Sequence, residues 1–577
     1  MDFICQNQII EEISNCIQVT MKPNAINNDD RNKANCRLNQ ILMNDINEKM
    51  DLYFNVAMLI VNNPENFTVN NEFCIESLVT YGFQILEQIV KRHWYIFKHD
   101  RRENIKEFCL SRLNFQSNIS MKVNFLTSNL IINSCSRLIT EVFMREWPNE
   151  WPQFLPKLTQ NYSLICLYTI LNISDHLTKL SSSNSSRRRE ITKSLVNEKE
   201  NLLEFFCKNL SVMNIQNEQQ MSIEYRRQII MKSLEVLDSL LEWYPLNENI
   251  LMKLILTASL ADLNLDDIFG CQIKILSLRC IQTIMKRSLK RPEDIIVMND
   301  IFFDIHESKF AHFLISQLSP YFHLIKSTKS DDNDSFNELF ILLLDIAIET
   351  VCRVMNLINQ ESTHKSIVKS CNENKSFWST FMCFIFDCLA YDNINFDEIL
   401  LRFLIIYSKS GLNSEQNIKS VENSKNKSIL PVPFHLETTI PSRLLISIAF
   451  QKLEPKSESV AFELINSCDL DSYESYLQIF RENRNKFLTI IRNLCQNYPQ
   501  ISQTFFFSML RDLFGTIPAE LFDQEVLTTS TGIKSWITAA VLCPLLISRR
   551  NFSQQVSSDF YFRMNHFYSF TCFKCSN

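Results

Sequence analysis

Glycine is almost absent from this chain of 577 residues, which contains only five. Average usage of about 7% would give about forty. Glycine is the usual residue for the positive φ angles of hairpins and bulges, so a chain this poor in glycine is unsuited to many tight β-turns. The apolar content of 46% and the 43 phenylalanines still provide material for a core. We therefore expect an all-α fold whose helices are joined by turns of Asn, Ser, Asp and Pro.

Apolar residues recur at helical spacing along the chain, for example in 75–89, 131–143, 273–284 and, less strictly, 339–351. Each apolar stripe needs a neighbouring helix to cover it, which is the physical basis of a helical solenoid. The sequence thus predicts an α-α superhelix of the HEAT/ARM-type repeat class. At about 40 to 47 residues per repeat, we expect roughly 12 to 14 repeats.

Sequence motifs argue against an enzyme and against a metal protein. No glycine-rich phosphate loop, His-Glu-x-x-His or Gly-x-Ser-x-Gly occurs, and the nine histidines lack metal-ligand spacing. Cys572 and Cys575 form a Cys-x-x-Cys without a second pair, which is a weak zinc or redox signal. We expect no catalytic residues and no metal site.

The cysteine pattern and the longest late apolar run bear on the compartment. Most of the 19 cysteines, such as Cys135, Cys280 and Cys352, lie on apolar helical faces, and no secretory leader pattern is visible, so we expect a reducing compartment. The run 536–547 is too short to span a bilayer and contains Pro544. The sequence predicts a soluble protein without membrane insertion.

Basic residues are clustered although the net charge is −6. The acidic balance argues against a chain coated with nucleic-acid contacts. Each cluster either complements a helix C-terminus or, if it lies on an open face, attracts a phosphate backbone, and the sequence leaves both interpretations open. The clusters are Lys91-Arg92, Arg101-Arg102, Arg187–Arg189, Arg226-Arg227, Lys286-Arg287 with Lys290-Arg291, and Arg549-Arg550.

The most informative segment runs from Arg145 to Pro152 and reads Arg-Glu-Trp-Pro-Asn-Glu-Trp-Pro. It follows the predicted helix 131–143. Each proline fixes its own backbone and restricts the residue before it, so the chain should bend sharply here. We interpret Trp147 and Trp151 as core anchors of an inter-helix turn.

This segment resembles the Glu-Trp-Pro-x-x-Trp-Pro motif of nuclear exportins. A second segment, 81–94, reads Tyr-Gly-Phe-Gln-Ile-Leu-Glu-Gln-Ile-Val-Lys-Arg-His-Trp and is similar to a helix in the N-terminal homology region of the same receptors. Two motifs in the expected order identify the chain as resembling exportins. The resemblance assigns a structural motif role to Gly82, Trp94, Glu146, Trp147, Pro148, Trp151 and Pro152.

Further segments favour one branch of the exportins. The run Arg-Arg-Arg-Glu-Ile at 187–191 resembles the triple-arginine helix of the exportin-5 subfamily, and 234–243 resembles a helix that ends in Asp-Trp there. The acidic stretch 469–472 precedes a predicted helix as in the family. The resemblance is clear over 70–290 and thin to about 510. An exporter of leucine-rich signals, of the chromosome region maintenance type, and a non-transport helical scaffold are the alternatives.

The resemblance implies a receptor that binds GTP-bound Ran and cargo cooperatively in the nucleus and releases both in the cytoplasm. The implied cargo is structured RNA such as precursor microRNA hairpins, transfer RNA, or protein, and nucleoporins are implied partners during shuttling through the nuclear pore. No cofactor of its own is expected, because Ran carries the GTP.

The resemblance also suggests contact residues. The helix over 75–94 would belong to the Ran-facing region, and Gln84, Glu87, Gln88 and Lys91 lie off its apolar stripe, where a partner has access. For cargo RNA, Arg187, Arg188, Arg189, Arg226 and Arg227 are the predicted contacts, through backbone shape and 2′-hydroxyls more than base sequence.

The predicted organisation has three parts. Residues 1–170 form an importin-β-like N-terminal region with Ran-facing repeats, 171–550 an exportin HEAT-repeat region, and 551–577 an atypical C-terminal tail. Polar insertions are expected at 181–186, 326–334 and 411–427. The resemblance implies that the chain corresponds to the N-terminal half of an exportin.

Overall fold

The structure is a computed structural model in which the described residues are 2–21, 28–63, 72–113, 128–161, 163–179, 185–211, 223–246, 248–260, 268–287, 314, 318, 320, 322, 334–358, 384–389, 394–409 and 472–497. The chain divides into two compact units, Met1–Val297 and Met298–Asn577. The regular elements in the described residues are helices, and no strand occurs among them. This confirms the all-α prediction.

The first unit contains helices whose lengths suit a repeat protein. A π-helical turn, Ile41–Asp45, joins α2 to α3, and a 3-10 turn, Trp94–Ile96, follows α5. The helices are α1 (Asp2–Met21), α2 (Asn28–Gln40), α3 (Ile46–Glu48), α4 (Met50–Asn62), α5 (Glu72–His93), α6 (His99–Leu113), α7 (Asn129–Glu146), α8 (Phe154–Thr159), α9 (Leu164–Lys179), α10 (Ser185–Asn197), α11 (Lys199–Ser211), α12 (Ile223–Leu241), α13 (Glu248–Leu260) and α14 (Ile268–Lys286).

Helices α5, α7, α9, α12 and α14 pack side by side in chain order and form one layer. Hydrogen bonds join the start of one helix to the start of its neighbour, and the end of one helix to the end of its neighbour. Neighbouring helices of this layer therefore run parallel. Ser128, at the start of α7, donates to Glu76 near the start of α5. Arg145, in the last turn of α7, donates to the Lys91 carbonyl at the end of α5 over 3.1 Å. The C-terminal ends of these helices therefore lie along one side, which we call the C-terminal edge.

A second layer covers one face of the first. It contains α4, α6, α8, α11 and α13, each of which packs against a helix of the parallel layer or against its own neighbour. Helix α4 runs antiparallel to α5, because its last turn lies against Gly82 in the middle of α5, while Phe54 near its start contacts Phe97 beyond the end of α5. Stacked helix pairs in two layers are the arrangement of a HEAT-like solenoid, which confirms the predicted fold class.

The second unit is described through three long helices, α15 (Asp334–Ile358), α16 (Ile394–Lys409) and α17 (Tyr473–Asn497). Helix α16 packs against both others. Phe340 of α15 lies 4.9 Å from Phe396 of α16 between ring centroids. Further along the same two helices, the buried Asp345 accepts a hydrogen bond from Arg402.

Several sequence predictions can be compared with these bounds. The helices expected over 75–89, 131–143, 273–284 and 339–351 are confirmed as α5, α7, α14 and α15, and α17 begins directly after the acidic stretch. The insertion expected at 181–186 ends earlier, because α10 already begins at Ser185. Cys135, Cys280 and Cys352 are buried and free.

Other predictions fall outside the described residues. They concern the insertion at 411–427, nearly all of that at 326–334, the run 536–547, the tail 551–577 with Cys572 and Cys575, and the cluster Arg549-Arg550. The domain limits and the repeat count stay predictions. Within the described part of the chain, no helix is both long enough and apolar enough to cross a membrane.

Candidate functional site

The two tryptophan motifs meet in a buried hydrogen bond at the C-terminal edge. The Trp94 indole N–H donates to the Glu146 carboxylate over 2.6 Å, although the two residues are 52 positions apart. The other oxygen of Glu146 lies 2.9 Å from the Lys106 ammonium. Lys106 also donates to Glu103 and to the Glu150 carbonyl. Trp94 is 1% exposed, so water hardly competes for its bond, and the exportin-like segments form one interlocked turn.

Burial and hydrogen bonding act in opposite directions on the pKa of each partner. Burial raises the pKa of Glu146, but hydrogen bonds from Lys106 and Trp94 lower it, and the net shift is downward. Burial lowers the pKa of Lys106, but hydrogen bonds to Glu103 and Glu146 raise it, and the net shift is upward. Both groups therefore stay charged near neutral pH, and their mutual attraction offsets the hydration that they lose.

Trp147 and Trp151 fill the corner between α7 and α8. They are 2% and 1% exposed. Trp147 stacks on Phe143 with 4.9 Å between ring centroids, and Trp151 packs against Phe154 at 4.4 Å. Both indoles thus lie in the core, in agreement with their interpretation as core anchors of an inter-helix turn.

Pro148 and Pro152 follow the two tryptophans where the chain leaves α7. Trp147 has φ −80° and ψ 142°, the extended conformation that a following proline favours. The Trp147–Pro148 peptide bond is cis. After Pro152 the chain enters α8, so the bend lies where the sequence predicts it.

Gly82 allows α5 to lie directly against α4. A Cβ atom at this position would come within 3.0 Å of one methyl carbon of Ile60 and one of Val61. The glycine of the first motif therefore serves close helix packing.

Arg187, a predicted RNA contact, binds backbone carbonyls of the protein itself. Its guanidinium donates to the Met144 carbonyl over 3.2 Å and to the Trp147 carbonyl. It also donates to Glu190 over 2.7 Å, and this bond lowers the pKa of Glu190. The last carbonyls of a helix lack partners within the helix, and a cation satisfies them. Arg187 is thus a capping residue of α7, the alternative that the sequence left open for its cluster.

The remaining candidate arginines differ in how they are engaged. Arg188 and Arg189 on α10 are exposed, and within the part of the chain that the structure describes neither forms a hydrogen bond or an ion pair. Arg226 and Arg227 near the start of α12 are partly buried, and each takes part in an interaction within the protein. RNA contact by these four residues, and by Arg187, stays a prediction.

Gln84, Glu87, Gln88 and Lys91 lie on the side of α5 away from α4. Lys91 follows Gly82 by nine positions, which places it about 180° around the helix. Gln84 and Gln88 are partly exposed and Lys91 is exposed, but Glu87 is only 2% exposed. The expectation that all four side chains are accessible to a partner is therefore corrected for Glu87. Its carboxylate is used inside the protein.

Glu87 and Glu141 are buried carboxylates that cations cover from outside. The Lys91 ammonium lies 2.6 Å from Glu87 and 3.3 Å from Glu141. Arg137 donates to Glu87 over 2.9 Å, and Arg145 donates to Glu141 over 2.6 Å. The Arg137 side chain is 45% exposed. The carboxylates thus hold three cations in place at the surface, and we call Lys91, Arg137 and Arg145 the cationic surface.

Sequence reasoning missed Lys106, Arg137 and Glu141. Glu141 and Arg145 are four positions apart, a spacing that indicates an ion pair on a helix and provided a usable signal. Lys106 offered none, because a single lysine in a polar helix looks like ordinary surface. Among the side chains that can be placed, no group of three His, Cys, Asp or Glu is arranged to hold a metal ion.

Comparison with known proteins agrees with the exportin resemblance of the segments that form the turn. Residues 128–277 match the family model described as Exportin 1-like protein. This range covers α7, the tryptophan turn, Arg187 and the first half of α14. Over this range the chain is similar to exportins.

Three curated relatives share similar segments with this chain. Mouse Exportin-5 is 23% identical over 181 residues, which is 29% of this chain and 15% of the relative. Human Exportin-5 is 25% identical over 137 residues, or 22% of this chain and 11% of the relative. Exportin-1 of Drosophila melanogaster is 29% identical over 77 residues, or 13% and 7%. The matched segments thus span well under a fifth of the length of each of these relatives.

Proposed function

We propose that this protein is a nuclear export receptor that binds GTP-bound Ran and structured RNA cargo cooperatively and shuttles between nucleus and cytoplasm. The observation that carries the proposal is the turn at the C-terminal edge, where Trp94, Glu146, Trp147 and Arg187 join three segments that resemble exportins. The match of residues 128–277 to the exportin family model supports it. GTP belongs to Ran, and nucleoporins are the partners expected during passage through the pore.

The cationic surface and the two glutamines beside it are the proposed contact for Ran. Lys91 and Arg137 are oriented by the buried Glu87, so little side-chain entropy is lost when a partner binds them. Gln84 and Gln88 offer both donors and acceptors on the same face. We propose that Glu87 positions these cations and does not itself touch Ran.

Arg188 and Arg189 are the proposed cargo contacts. Both guanidiniums are exposed beside the firmly held Arg187. A guanidinium binds phosphate oxygens through two parallel N–H groups, and neutralising RNA phosphates releases condensed counterions. Cargo with a double-stranded stem fits such contacts because they do not depend on base sequence.

The test is a pair of reciprocal binding titrations. A fluorescent hairpin RNA with a two-nucleotide overhang is titrated with this protein, with and without Ran held in its GTP form. We expect Ran to raise RNA affinity, and RNA to raise Ran affinity by the same factor, of about 5- to 150-fold. Ran in its GDP form should have no such effect. If neither partner binds, the proposal fails and a non-transport scaffold takes its place.

Variants assign the two surfaces separately. Gln88→Ala combined with Arg137→Gln should weaken Ran binding, while Glu107→Gln, an exposed change on α6, should not. The logarithm of the RNA-binding constant falls linearly with the logarithm of salt concentration. Replacing Arg188 and Arg189 by Gln should reduce the magnitude of this slope by about one unit per arginine. A different outcome would favour the exporter of leucine-rich signals: the protein would bind no RNA, and Ran would promote binding of a leucine-rich signal peptide.

A further inference from the structure

The end of α7 is bonded both to the proposed Ran surface and to α10, the helix that carries the proposed cargo arginines. On one side, Arg145 donates to the Glu141 carboxylate over 2.6 Å and to the Lys91 carbonyl over 3.1 Å. On the other side, Arg187 of α10 donates to the Met144 carbonyl over 3.2 Å. Met144 and Arg145 are consecutive residues, so bonds from two surfaces converge on one helical turn.

Helix α10 is fixed to this turn at two points. Arg187 bonds the Met144 and Trp147 carbonyls, and Asn149 donates to Glu190 of α10 over 2.8 Å. The same helix carries Arg188 and Arg189 directly after Arg187. A displacement of the α7 end therefore moves the backbone that carries the two exposed arginines.

The α7 end is also tied to α5 and α6. Trp94 donates to Glu146, and Lys106 contacts Glu146 and the Glu150 carbonyl. Rigid attachment to several helices means that this turn moves as a body when α5 moves, because the bonds involve buried and charged partners that are costly to break. The bonds from Arg187 to two backbone carbonyls, supported by the hydrogen bond from Asn149 to Glu190, pass this movement to α10.

Resting on the proposed function, we propose that Arg187 couples the Ran surface to the cargo arginines and is a positioning residue that touches neither partner. Ran bound to Lys91 and Arg137 fixes the end of α7, and Arg187 transmits that position to α10. The guanidinium is suited to this role because its planar fork binds two carbonyls and a carboxylate at the same time. A lysine ammonium offers donors without that fixed geometry.

The experiment measures the coupling factor, which is the ratio of RNA affinities with and without GTP-bound Ran. For Arg187→Met, the factor should fall by about 2- to 30-fold, the range for residues that link two sites. RNA affinity without Ran and Ran affinity without RNA should change by less than the coupling factor does. Arg187→Lys should restore part of the coupling. Lys193→Met, an exposed change on the same helix, serves as the matched control and should leave the factor unchanged.

A second readout reports on the helix itself. Addition of GTP-bound Ran should raise hydrogen-exchange protection of α10 amides in the wild-type chain and in Lys193→Met, and not in Arg187→Met. Loss of RNA affinity in Arg187→Met that is equal with and without Ran would overturn the proposal, because Arg187 would then be a direct RNA contact or a general stabiliser. An unchanged coupling factor in a variant that binds both partners would overturn it as well. Absence of binding by the wild-type chain is a different result, which refutes the proposed function itself.

Discussion

The turn between α7 and α8 in the first unit and the phenylalanine cluster in the second are stabilised by different forces. In the turn, Trp94, Lys106 and Arg187 each donate hydrogen bonds to defined oxygen atoms. In the cluster, Phe340 packs between Phe322 at 5.6 Å and Phe396 at 4.9 Å, measured between ring centroids. The stability of the turn depends on specific donor–acceptor pairs. The stability of the phenylalanine cluster depends on how much apolar volume its side chains fill.

This difference has consequences for tolerance to change. A buried polar network loses its advantage when one member is missing, because the remaining groups stay buried without partners. An apolar cluster accepts another apolar side chain of similar volume at small cost. The exportin family match, residues 128–277, falls in the unit that contains the polar turn. We infer that substitutions should be poorly tolerated in the turn and better tolerated in the phenylalanine cluster.

The largest expected effect comes from Glu146→Ala. This change leaves the buried Lys106 without one of its carboxylates and the Trp94 N–H without an acceptor, and breaking a buried ion pair costs about 3–5 kcal/mol. Urea denaturation measures the loss. Glu146→Gln keeps an acceptor for Trp94 and should cost clearly less, so equal losses for the two variants would contradict the network.

The matching change in the second unit is Phe340→Ala. Truncating a buried phenylalanine costs about 3–5 kcal/mol, whereas Phe340→Leu should cost less than about 1.5 kcal/mol because the volume is nearly kept. The same denaturation experiment compares the two. A leucine variant as unstable as the alanine variant would mean that this cluster is as specific as the polar turn.

A smaller effect is expected for Gly82→Ala. The added methyl group would meet Ile60 and Val61 at 3.0 Å. Overpacking costs about 1–3 kcal/mol, and the better helix propensity of alanine offsets about 1 kcal/mol of that, so a net loss of stability should remain. Combining it with Val61→Ala provides the control, since the double variant should lose less than the sum of the single losses.

The smallest expected effect is a pH dependence that belongs to Glu146. Burial raises its pKa, the bonds from Lys106 and Trp94 lower it more, and the folded value lies below the ordinary one. Its contribution to stability is therefore present above the ordinary glutamate pKa and is lost as pH falls through the lowered folded value. The difference in free energy of unfolding between wild type and Glu146→Gln should shrink as the pH falls below about 4. A difference that stays constant into strong acid would argue against the ion pair.

Part of this architecture was predictable from the sequence. Glycine scarcity and helical periodicity predicted α5, α7, α14 and α15, because those signals reflect local backbone preference and one-sided burial. The motif around Trp147 and Trp151 predicted a buried corner, because two prolines there restrict the chain.

The long-range polar contacts were not predictable in the same way. The bond from Trp94 to Glu146 joins residues 52 positions apart, and no periodic pattern indicates which polar groups meet when two helices pack. Arg187 illustrates the limit: a run of three arginines looks uniform in sequence, yet one caps α7 while Arg188 and Arg189 stay exposed.

A double-mutant cycle on Trp94 and Glu146 tests most directly whether the two motifs act as one polar turn. Trp94→Phe removes the N–H donor, Glu146→Ala removes the acceptor, and the double variant completes the cycle, all measured by urea denaturation. We predict an interaction free energy within the range of about 0.5–3 kcal/mol found for residues in one hydrogen-bonded network. Stability losses that simply add would contradict the account, because the motifs would then contribute independently.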